Sequence, residues 1–159
     1  MRSASQSWVV LALLSAPLSA QDTLQVCREA RVKGQFEEAV ACFERALRAA
    51  EGRESQEDQA EALLHLARAL EIWADETKSE SRRAGAKAFY ERAAKLGNAQ
   101  QQLLALNNLV VLLLRLGKLP EALQAARRID LEKIDPAQQY FYRYNLARVL
   151  EMNGELESA

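Results

Sequence analysis

The sequence predicts an all-α protein built from antiparallel helix pairs that repeat along the chain, and three observations support this. Hydrophobic residues make up 49% of the 159 residues, and Ala and Leu dominate them. Only 6 Gly and 3 Pro punctuate the chain, whereas a sheet protein needs frequent turns and many β-branched residues. Stretches with a helical period also recur along the chain, and glycines separate several of them.

The first twenty residues differ from the rest and have the three-part layout of a secretory signal peptide. Arg2 gives a positive start, residues 8–14 form an uncharged apolar run, and small residues follow. The run is much shorter than the ~20 residues that span a bilayer, which argues against a membrane anchor. The first cysteine is Cys27, too far from the run for lipidation. We expect cleavage after Ala20, so that the mature protein begins at Gln21 in the periplasm or outside the cell.

Four stretches align as the first helix of a repeated unit, and a second-helix pattern follows each of them. The first-helix stretches are Thr23–Ala30, Leu63–Leu70, Leu106–Leu113 and Arg143–Leu150. Each second-helix pattern contains a small alanine, at Ala39, Ala86, Ala122 and Ala159. A turn glycine, which permits backbone angles that other residues resist, precedes three of these alanines, at Gly34, Gly117 and Gly154. Phe43 and Tyr90 follow one turn after their alanines and are expected to fill the space between helices.

These residues resemble the tetratricopeptide repeat (TPR) family, whose units are helix-turn-helix pairs of ~34 residues. The resemblance covers Asp22 to Ala159. It implies a right-handed superhelical array, a TPR-like α-solenoid of about three and a half repeats. The implied repeat domain spans 21–159, with repeats at about 20–53, 58–97, 100–131 and an incomplete 136–159. The expected helices are Thr23–Lys33, Phe36–Ala50, Gln59–Thr77, Arg82–Leu96, Gln100–Leu116, Pro120–Ile129 and a last helix from Pro136.

The spacing departs from the family pattern around the second repeat. Ala39 and Ala86 lie 47 residues apart, whereas Ala86 and Ala122 lie 36 apart. Part of the excess falls in the linker at 52–58, and about two helical turns of it fall inside repeat two. Either the first helix of that repeat lengthens, or the polar run 75–83 forms a longer loop. We favour a mixture, with helix to about Thr77 and then a loop capped by Ser79 or Ser81.

The pattern at the end of the sequence predicts that repeat four is cut in half. Ala159 occupies the close-packing position at the start of a second helix. A solenoid normally closes with a polar capping helix, and no such pattern follows. We therefore expect the N-terminal part of a longer protein, with the apolar residues Leu146, Val149, Leu150 and Leu156 partly uncovered.

Nothing in the sequence predicts a catalytic, cofactor or metal site. The only histidine, His65, occupies the slot that Asn108 and Asn145 fill in later repeats, which favours an ordinary polar residue of the repeat. There is no glycine-rich phosphate loop, no Gly-x-Ser-x-Gly turn and no spaced set of metal ligands. A net charge of −1 gives no indication of nucleic acid or an anionic membrane as partner. We expect no enzyme activity, no cofactor and no stable membrane insertion after signal cleavage.

The two cysteines, Cys27 and Cys42, lie on the two predicted helices of repeat one. In an oxidising compartment such a pair forms a disulfide, provided that the Cα atoms come within about 7 Å. The alternative is two small buried hydrophobic residues, which free cysteine imitates well. Neither is predicted to be catalytic.

The resemblance places the ligand surface on the concave face, which the first helices line. Partner contacts are expected from one row, Arg28, Arg68, Val111 and Arg148, and from a second row one turn earlier, Leu24, Leu64, Asn107 and Tyr144. Three arginines in a row suit the carboxylates of an acidic peptide. The alternative is a solvated charged face balanced by Glu29, Glu71 and Glu151. The carboxylate-clamp variety of the family is excluded, because Leu24 and Arg28 stand where its first lysine and asparagine belong.

The expected function is therefore a scaffold that binds a protein or peptide partner, of acidic character, on the concave face. One alternative is the regulatory or sensor region of a longer exported enzyme whose catalytic domain lies beyond residue 159. A structural role in envelope assembly or export is another. Nothing in these residues separates the three.

Overall fold

The computed structural model describes residues 19–133 and 135–154, and within these ranges it contains helices and no strand. The seven α-helices there are α1 Ala20–Val32, α2 Phe36–Gly52, α3 Gln56–Thr77, α4 Glu80–Leu96, α5 Ala99–Arg115, α6 Leu119–Ala126 and α7 Pro136–Met152. A short 3-10 turn, Leu131–Lys133, precedes α7. The predicted all-α class is confirmed, and most helix ends lie within three residues of their predicted positions.

Side-chain caps start the helices of the middle of the chain. The side chains of Ser55, Ser79 and Asn98 accept hydrogen bonds from the backbone amides of Asp58, Arg82 and Gln101, at 3.3, 3.4 and 3.0 Å. Such caps satisfy amides that have no partner within the helix. The α3 helix ends at Thr77, and Ser79 caps α4, so the favoured interpretation of the polar run is confirmed.

A capping box also starts α1. The hydroxyl of Ser19 accepts from the amide of Asp22 at 3.1 Å, and the Asp22 carboxylate accepts from the amide of Ser19 at 3.3 Å. Most of the predicted signal peptide, residues 1–18, lies outside the described residues. The predicted cleavage after Ala20 would remove this cap from α1.

Turns of two or three residues join consecutive helices from α1 to α6, so each helix packs back against the one before it. The predicted turn glycines Gly34 and Gly117 adopt φ of +76° and +67°. This left-handed region favours glycine because it has no Cβ. The alanines that follow them, Ala39 and Ala122, are fully buried. The sequence pattern of a turn glycine followed by a small packing residue is thus confirmed at both turns.

The core runs along the array of helices. Phe43 of α2 and Tyr90 of α4 are completely buried in the core, as predicted. The α3 and α5 helices supply many core leucines, because each is covered by helices on more than one side; these are Leu63, Leu66, Leu109, Leu112 and Leu113.

Polar contacts link corresponding helices of successive pairs. Between α2 and α4, Arg92 Nη2 lies 2.6 Å from Glu51, 41 residues away. Between α3 and α5, Asn98 Nδ2 donates to Glu57 at 2.6 Å, again across 41 residues. Between α5 and α7, Asn145 Nδ2 donates to Asn107 Oδ1 at 2.8 Å across 38 residues. Contacts at a recurring separation are consistent with a helical repeat.

The α7 helix differs from the expectation for the last repeat. Val149 is fully buried, so the prediction that it is partly uncovered is wrong. Leu146 and Leu150 are only partly buried against the core, as predicted, and Leu156 lies outside the described residues. The exposed large side chains of α7 are instead Tyr140, Phe141, Tyr144 and Met152. Contact with α5 and α6 covers Val149 in the absence of any described second helix.

Candidate functional site

A groove of about 470 Å³ lies between α3 and α5, with the C-terminal part of α1 at one end. We call it the α3–α5 groove. The α3 helix lines it with side chains of one face, Glu57, Glu61, Leu64, His65 and Arg68. The α5 helix contributes its first turn together with Leu104 and Asn108, and α1 contributes Arg31. Residues three, four and seven apart share one face of a helix, which explains the set from α3.

Hydrogen bonds hold the two helices that form the groove. The Glu57 side chain accepts from Asn98, and its backbone carbonyl accepts from Gln101 Nε2 at 3.1 Å. Both partners lie at the N-terminus of α5, where Gln101 also completes the capping box of Asn98. The starts of α3 and α5 are therefore fixed side by side.

Three arginines gather near the α1 end of the groove, and we call Arg28, Arg31 and Arg68 the arginine cluster. Burial first, and then the positive charge of Arg68, lower the pKa of Arg31, and the charge of Arg28 adds to this. Burial is the largest cause of this lowering, and the neighbouring guanidinium groups, which stay charged at neutral pH, add mutual repulsion to it. Arg31 and Arg68 line the groove, whereas Arg28 is half-buried and is not part of its lining.

Two members of the arginine cluster have no ionic partner in the part of the chain that the structure describes. Neither Arg28 nor Arg31 has a carboxylate oxygen within 4.0 Å among residues 19–133 and 135–154. The Nε of Arg28 is also buried without a hydrogen-bond acceptor in this region. A buried donor without an acceptor is unfavourable by about 1–3 kcal/mol, so Arg28 lowers the stability of the fold at this position.

His65 lies between the arginine cluster and the acidic part of the groove. Its ring stacks on Phe43 with centroids 5.5 Å apart and planes at 20°. Burial, followed by the charges of Arg28 and Arg31, lowers the pKa of His65 to about 4. The imidazole is therefore neutral at pH 7, and the Glu61 carboxylate 3.9 Å from its Nε2 faces an uncharged ring.

Directly beyond the groove, a buried carboxylate collects three donors. Glu71 is 1% exposed and accepts from Arg68 Nη1 at 3.0 Å, Tyr90 OH at 2.9 Å and Arg115 Nη1 at 2.7 Å. We call these four residues the Glu71 network. Arg115 pairs with Asp75 as well. The network ties α3, α4 and α5 together and holds the Arg68 side chain at the edge of the groove.

The pKa values of the network follow from burial and from Glu71. Burial raises the pKa of Tyr90, and the nearby Glu71 carboxylate raises it further. For Arg68, burial acts to lower the pKa, but the charge and hydrogen bond of Glu71 outweigh it and raise that pKa. Arg68 is thus partly neutralised by Glu71, in contrast to Arg28 and Arg31.

The structure separates the predicted contact residues into four groups. Arg68 and Leu64 line the α3–α5 groove, although Leu64 is buried. Arg28 and Val111 are half-buried and do not line it. Leu24 and Asn107 lie in the interior at 4% and 1% exposed, so the expectation of surface contacts from them is corrected. Leu24 packs into the core, and Asn107 bonds with Asn145 beneath α7.

The last two predicted contact residues lie on α7. Arg148 and Tyr144 are exposed, and the guanidinium lies 5.9 Å from the Tyr144 ring centroid. Neither lines the α3–α5 groove. The groove instead includes nine residues that were not predicted as contacts: Arg31, Glu57, Glu61, His65, Asn98, Gln100, Gln101, Leu104 and Asn108.

Cys27 and Cys42 are joined by a disulfide bond, with Cα atoms 5.4 Å apart. Of the two alternatives for this pair, the structure has the disulfide. It connects α1 to α2 directly beside Arg28. The position of the arginine cluster on α1 is therefore linked covalently to the rest of the helix array.

No family model and no curated protein sequence matches this chain. Within the described ranges, no helix is long and apolar enough to cross a membrane. No group of three or more His, Cys, Asp or Glu side chains is placed to hold a metal ion in the same part of the chain. The groove and its charges are therefore the features from which a function can be argued.

Proposed function

We propose that this chain is a TPR-like interaction module, a right-handed superhelical array of antiparallel helix pairs that binds an acidic segment of a protein partner. The α3–α5 groove is the binding site in this proposal, and it corresponds to the concave face of the resemblance. The recurring helix contacts support the repeat architecture. The proposed role is binding and not catalysis.

The observation that carries the proposal is the pair of arginines without ionic partners at the groove. Arg28 and Arg31 stay close to Arg68 despite mutual repulsion, and Arg28 keeps an unsatisfied buried Nε in the described structure. A guanidinium presents parallel N–H donors that match a carboxylate. A carboxylate bound here relieves the repulsion and accepts hydrogen bonds from the guanidinium groups at the same time.

The middle of the groove supports a peptide as the ligand. Leu104 is 43% exposed, and the partly buried His65 ring lies in the same groove. Asn108 and Gln100 provide amide groups that can bond to a peptide backbone. An acidic segment that also carries an apolar residue fits both features.

The test is fluorescence anisotropy with a labelled octapeptide that has two aspartates followed by leucines and serines. We expect Arg28→Gln/Arg31→Gln to weaken binding about tenfold or more, which corresponds to roughly 1.4 kcal/mol. The matched control is Arg45→Gln/Arg48→Gln, which removes two exposed arginines from α2. Binding to the unmodified chain should also weaken between about 50 and 500 mM salt. An equal loss in both variants, or no loss in either, contradicts the proposal.

We also propose that the chain works in the periplasm or outside the cell after cleavage following Ala20. The Cys27–Cys42 disulfide supports an oxidising compartment, because such bonds persist there and are rare in the cytosol. N-terminal sequencing of exported protein should begin at Gln21. Mature material that retains Met1 contradicts this part of the proposal.

A further inference from the structure

The α3–α5 groove carries opposite charges at its two ends. The arginine cluster lies at the α1 end, whereas Glu57 and Glu61 lie near the starts of α3 and α5. Glu57 is exposed, and the Glu61 side chain is 37% exposed. Leu64 and Leu104 lie between the two ends. The groove is therefore not uniformly basic.

We infer that the groove selects a mixed-charge segment, with acidic side chains at the arginine cluster, an apolar residue in the middle and basic side chains at Glu57 and Glu61. This inference rests on the proposed function, and it narrows the class of partner. The acidic part supplies the attraction already proposed. The two glutamates exclude partners that are acidic throughout.

The carboxylates of Glu57 and Glu61 have no cationic partner in the described part of the chain. Among residues 19–133 and 135–154, neither Glu57 nor Glu61 has a Lys or Arg nitrogen within 4.0 Å. Glu57 has the neutral Asn98 amide as a partner, and Glu61 has His65. His65 is uncharged at neutral pH because its pKa is lowered to about 4. Neither carboxylate is therefore paired with a cation in this part of the chain, and both can attract a basic side chain of a ligand.

The helix geometry sets the spacing of the charges in the segment. Glu61 precedes Arg68 by seven residues and Glu57 precedes it by eleven, which correspond to roughly 10 and 16 Å along a helix axis. An extended peptide covers about 3.3 Å per residue. The acidic and basic side chains of the ligand are therefore expected about three to five residues apart.

Repulsion from Glu57 and Glu61 makes the groove disfavour a segment that is acidic at both ends. A segment with carboxylates at both ends places one set of them against Glu57 and Glu61. Like charges placed together at an interface penalise the wrong partner, and this is a common source of specificity. A mixed-charge segment replaces that repulsion by attraction.

The experiment compares four labelled octapeptides in the anisotropy assay. Two have aspartates at one end, leucines in the middle and lysines at the other end, one in each chain direction. The third has aspartates at both ends, and the fourth has the composition of the mixed peptides with the charges alternating. We expect one of the first two to bind at least about fivefold tighter than the third and fourth.

The decisive variant is Glu57→Lys/Glu61→Lys, which should reverse the ranking so that the doubly acidic peptide binds tightest. The matched control is Glu44→Lys/Glu76→Lys, which makes the same charge change at exposed positions that do not line the groove. The control should keep the original ranking. A circular dichroism melt of each variant checks that it is folded.

The outcomes separate the two proposals. If the doubly acidic peptide binds the unmodified chain tightest and the Glu57→Lys/Glu61→Lys variant keeps that ranking, the mixed-charge inference is wrong. A loss of binding in Arg28→Gln/Arg31→Gln then still supports the proposed function. If no peptide binds, or if the affinity of every peptide is the same with and without Arg28 and Arg31, both proposals are wrong.

Discussion

Two groups of arginines in this molecule lie in opposite electrostatic situations. In the Glu71 network, Arg68 and Arg115 donate to one buried carboxylate, and Tyr90 donates to the same group. On α1, Arg28 and Arg31 have no carboxylate within 4.0 Å among residues 19–133 and 135–154. Arg68 belongs to both the arginine cluster and the Glu71 network.

The difference shows which charges hold helices together and which are left for a ligand. The Glu71 network joins three helices, and each donor in it has an acceptor. The α1 arginines add repulsion and leave a buried donor unsatisfied in the described structure, so they lower stability. Residues that lower stability without a structural role are often found at functional sites. The substitutions below change the paired arginine network and the unpaired α1 arginines separately.

The largest effect is expected from the covalent link that holds α1 in place. Cys27→Ala/Cys42→Ala should lower the free energy of unfolding by about 3 kcal/mol, because the cross-link closes a loop of 15 residues in the unfolded chain. Equilibrium urea denaturation with and without reducing agent measures it. The double variant should not respond to the reductant. Equal midpoints for the oxidised unmodified chain and the variant contradict the prediction.

Removal of the buried carboxylate should have the next largest effect. We expect Glu71→Leu to lower the free energy of unfolding by about 2 kcal/mol, because Tyr90 OH loses its acceptor and two guanidinium groups lose their partner. The loss stays below that of a fully buried ion pair, since both arginines are about half exposed and can turn to water.

A second variant identifies the origin of this loss. Glu71→Leu/Tyr90→Phe removes the acceptor and the orphaned hydroxyl together, so its loss should be smaller than the sum of the two single variants. Additive losses contradict the role assigned to the hydroxyl. As a control, Glu44→Leu removes an exposed carboxylate from α2 and should change stability by less than about 0.5 kcal/mol.

Most of the helix boundaries could be predicted because local chemistry determines them. The serines of the polar run after α3 are good cap residues, and Ser79 caps α4. The turn at Gly34 needs a left-handed backbone, which glycine marks in the sequence. The end of α6 was predicted less accurately, at Ile129, whereas the helix ends at Ala126. The amides of Arg128 and Ile129 donate to carbonyls three residues back, in tighter turns. No residue type in this stretch marks that change.

The site was predicted only in part, because its lining depends on how neighbouring helices cross. One residue along a helix rotates the side chain by about 100°, so the local pattern did not show that His65 lines the groove as well as Leu64. Asn107 aligns with Leu64 in the repeats, but contact with Asn145 of α7 buries it. The Glu71 network is equally hidden from local patterns, since Tyr90 and Arg115 are 19 and 44 residues away from Glu71.

The pH dependence of stability tests the environment of His65, which is set first by burial and then by the charges of the α1 arginines. Its pKa is lowered to about 4 in the folded chain, from an ordinary value of 6.5. The unfolded chain therefore binds more protons between these values, so stability is complete above pH 6.5 and falls as the pH drops toward 4. We expect a loss of about 1 kcal/mol between pH 7 and 5.5.

The measurement is urea denaturation at the two pH values for the unmodified chain and for His65→Asn, which places the side chain of the later repeats at this position. His65 is the only histidine of the chain, so the difference between the two proteins isolates it. The variant should lose less stability on acidification. An identical pH dependence in both proteins indicates that burial and the nearby arginines do not disfavour the charged imidazole.

The smallest effect on stability, and the sharpest test of the comparison, is expected from Arg28→Met. Methionine keeps an apolar stem of similar length, and it removes both the buried Nε without an acceptor and one of the repelling cations. We therefore expect the free energy of unfolding to rise by about 0.5 kcal/mol while binding of the acidic octapeptide weakens about tenfold. Arg45→Met, at an exposed position on α2, should change neither quantity appreciably. If the variant is less stable and binds the peptide as before, Arg28 stabilises the helix array, as the Glu71 network does. A residue that serves the ligand should instead weaken peptide binding, and raise stability, when it is replaced.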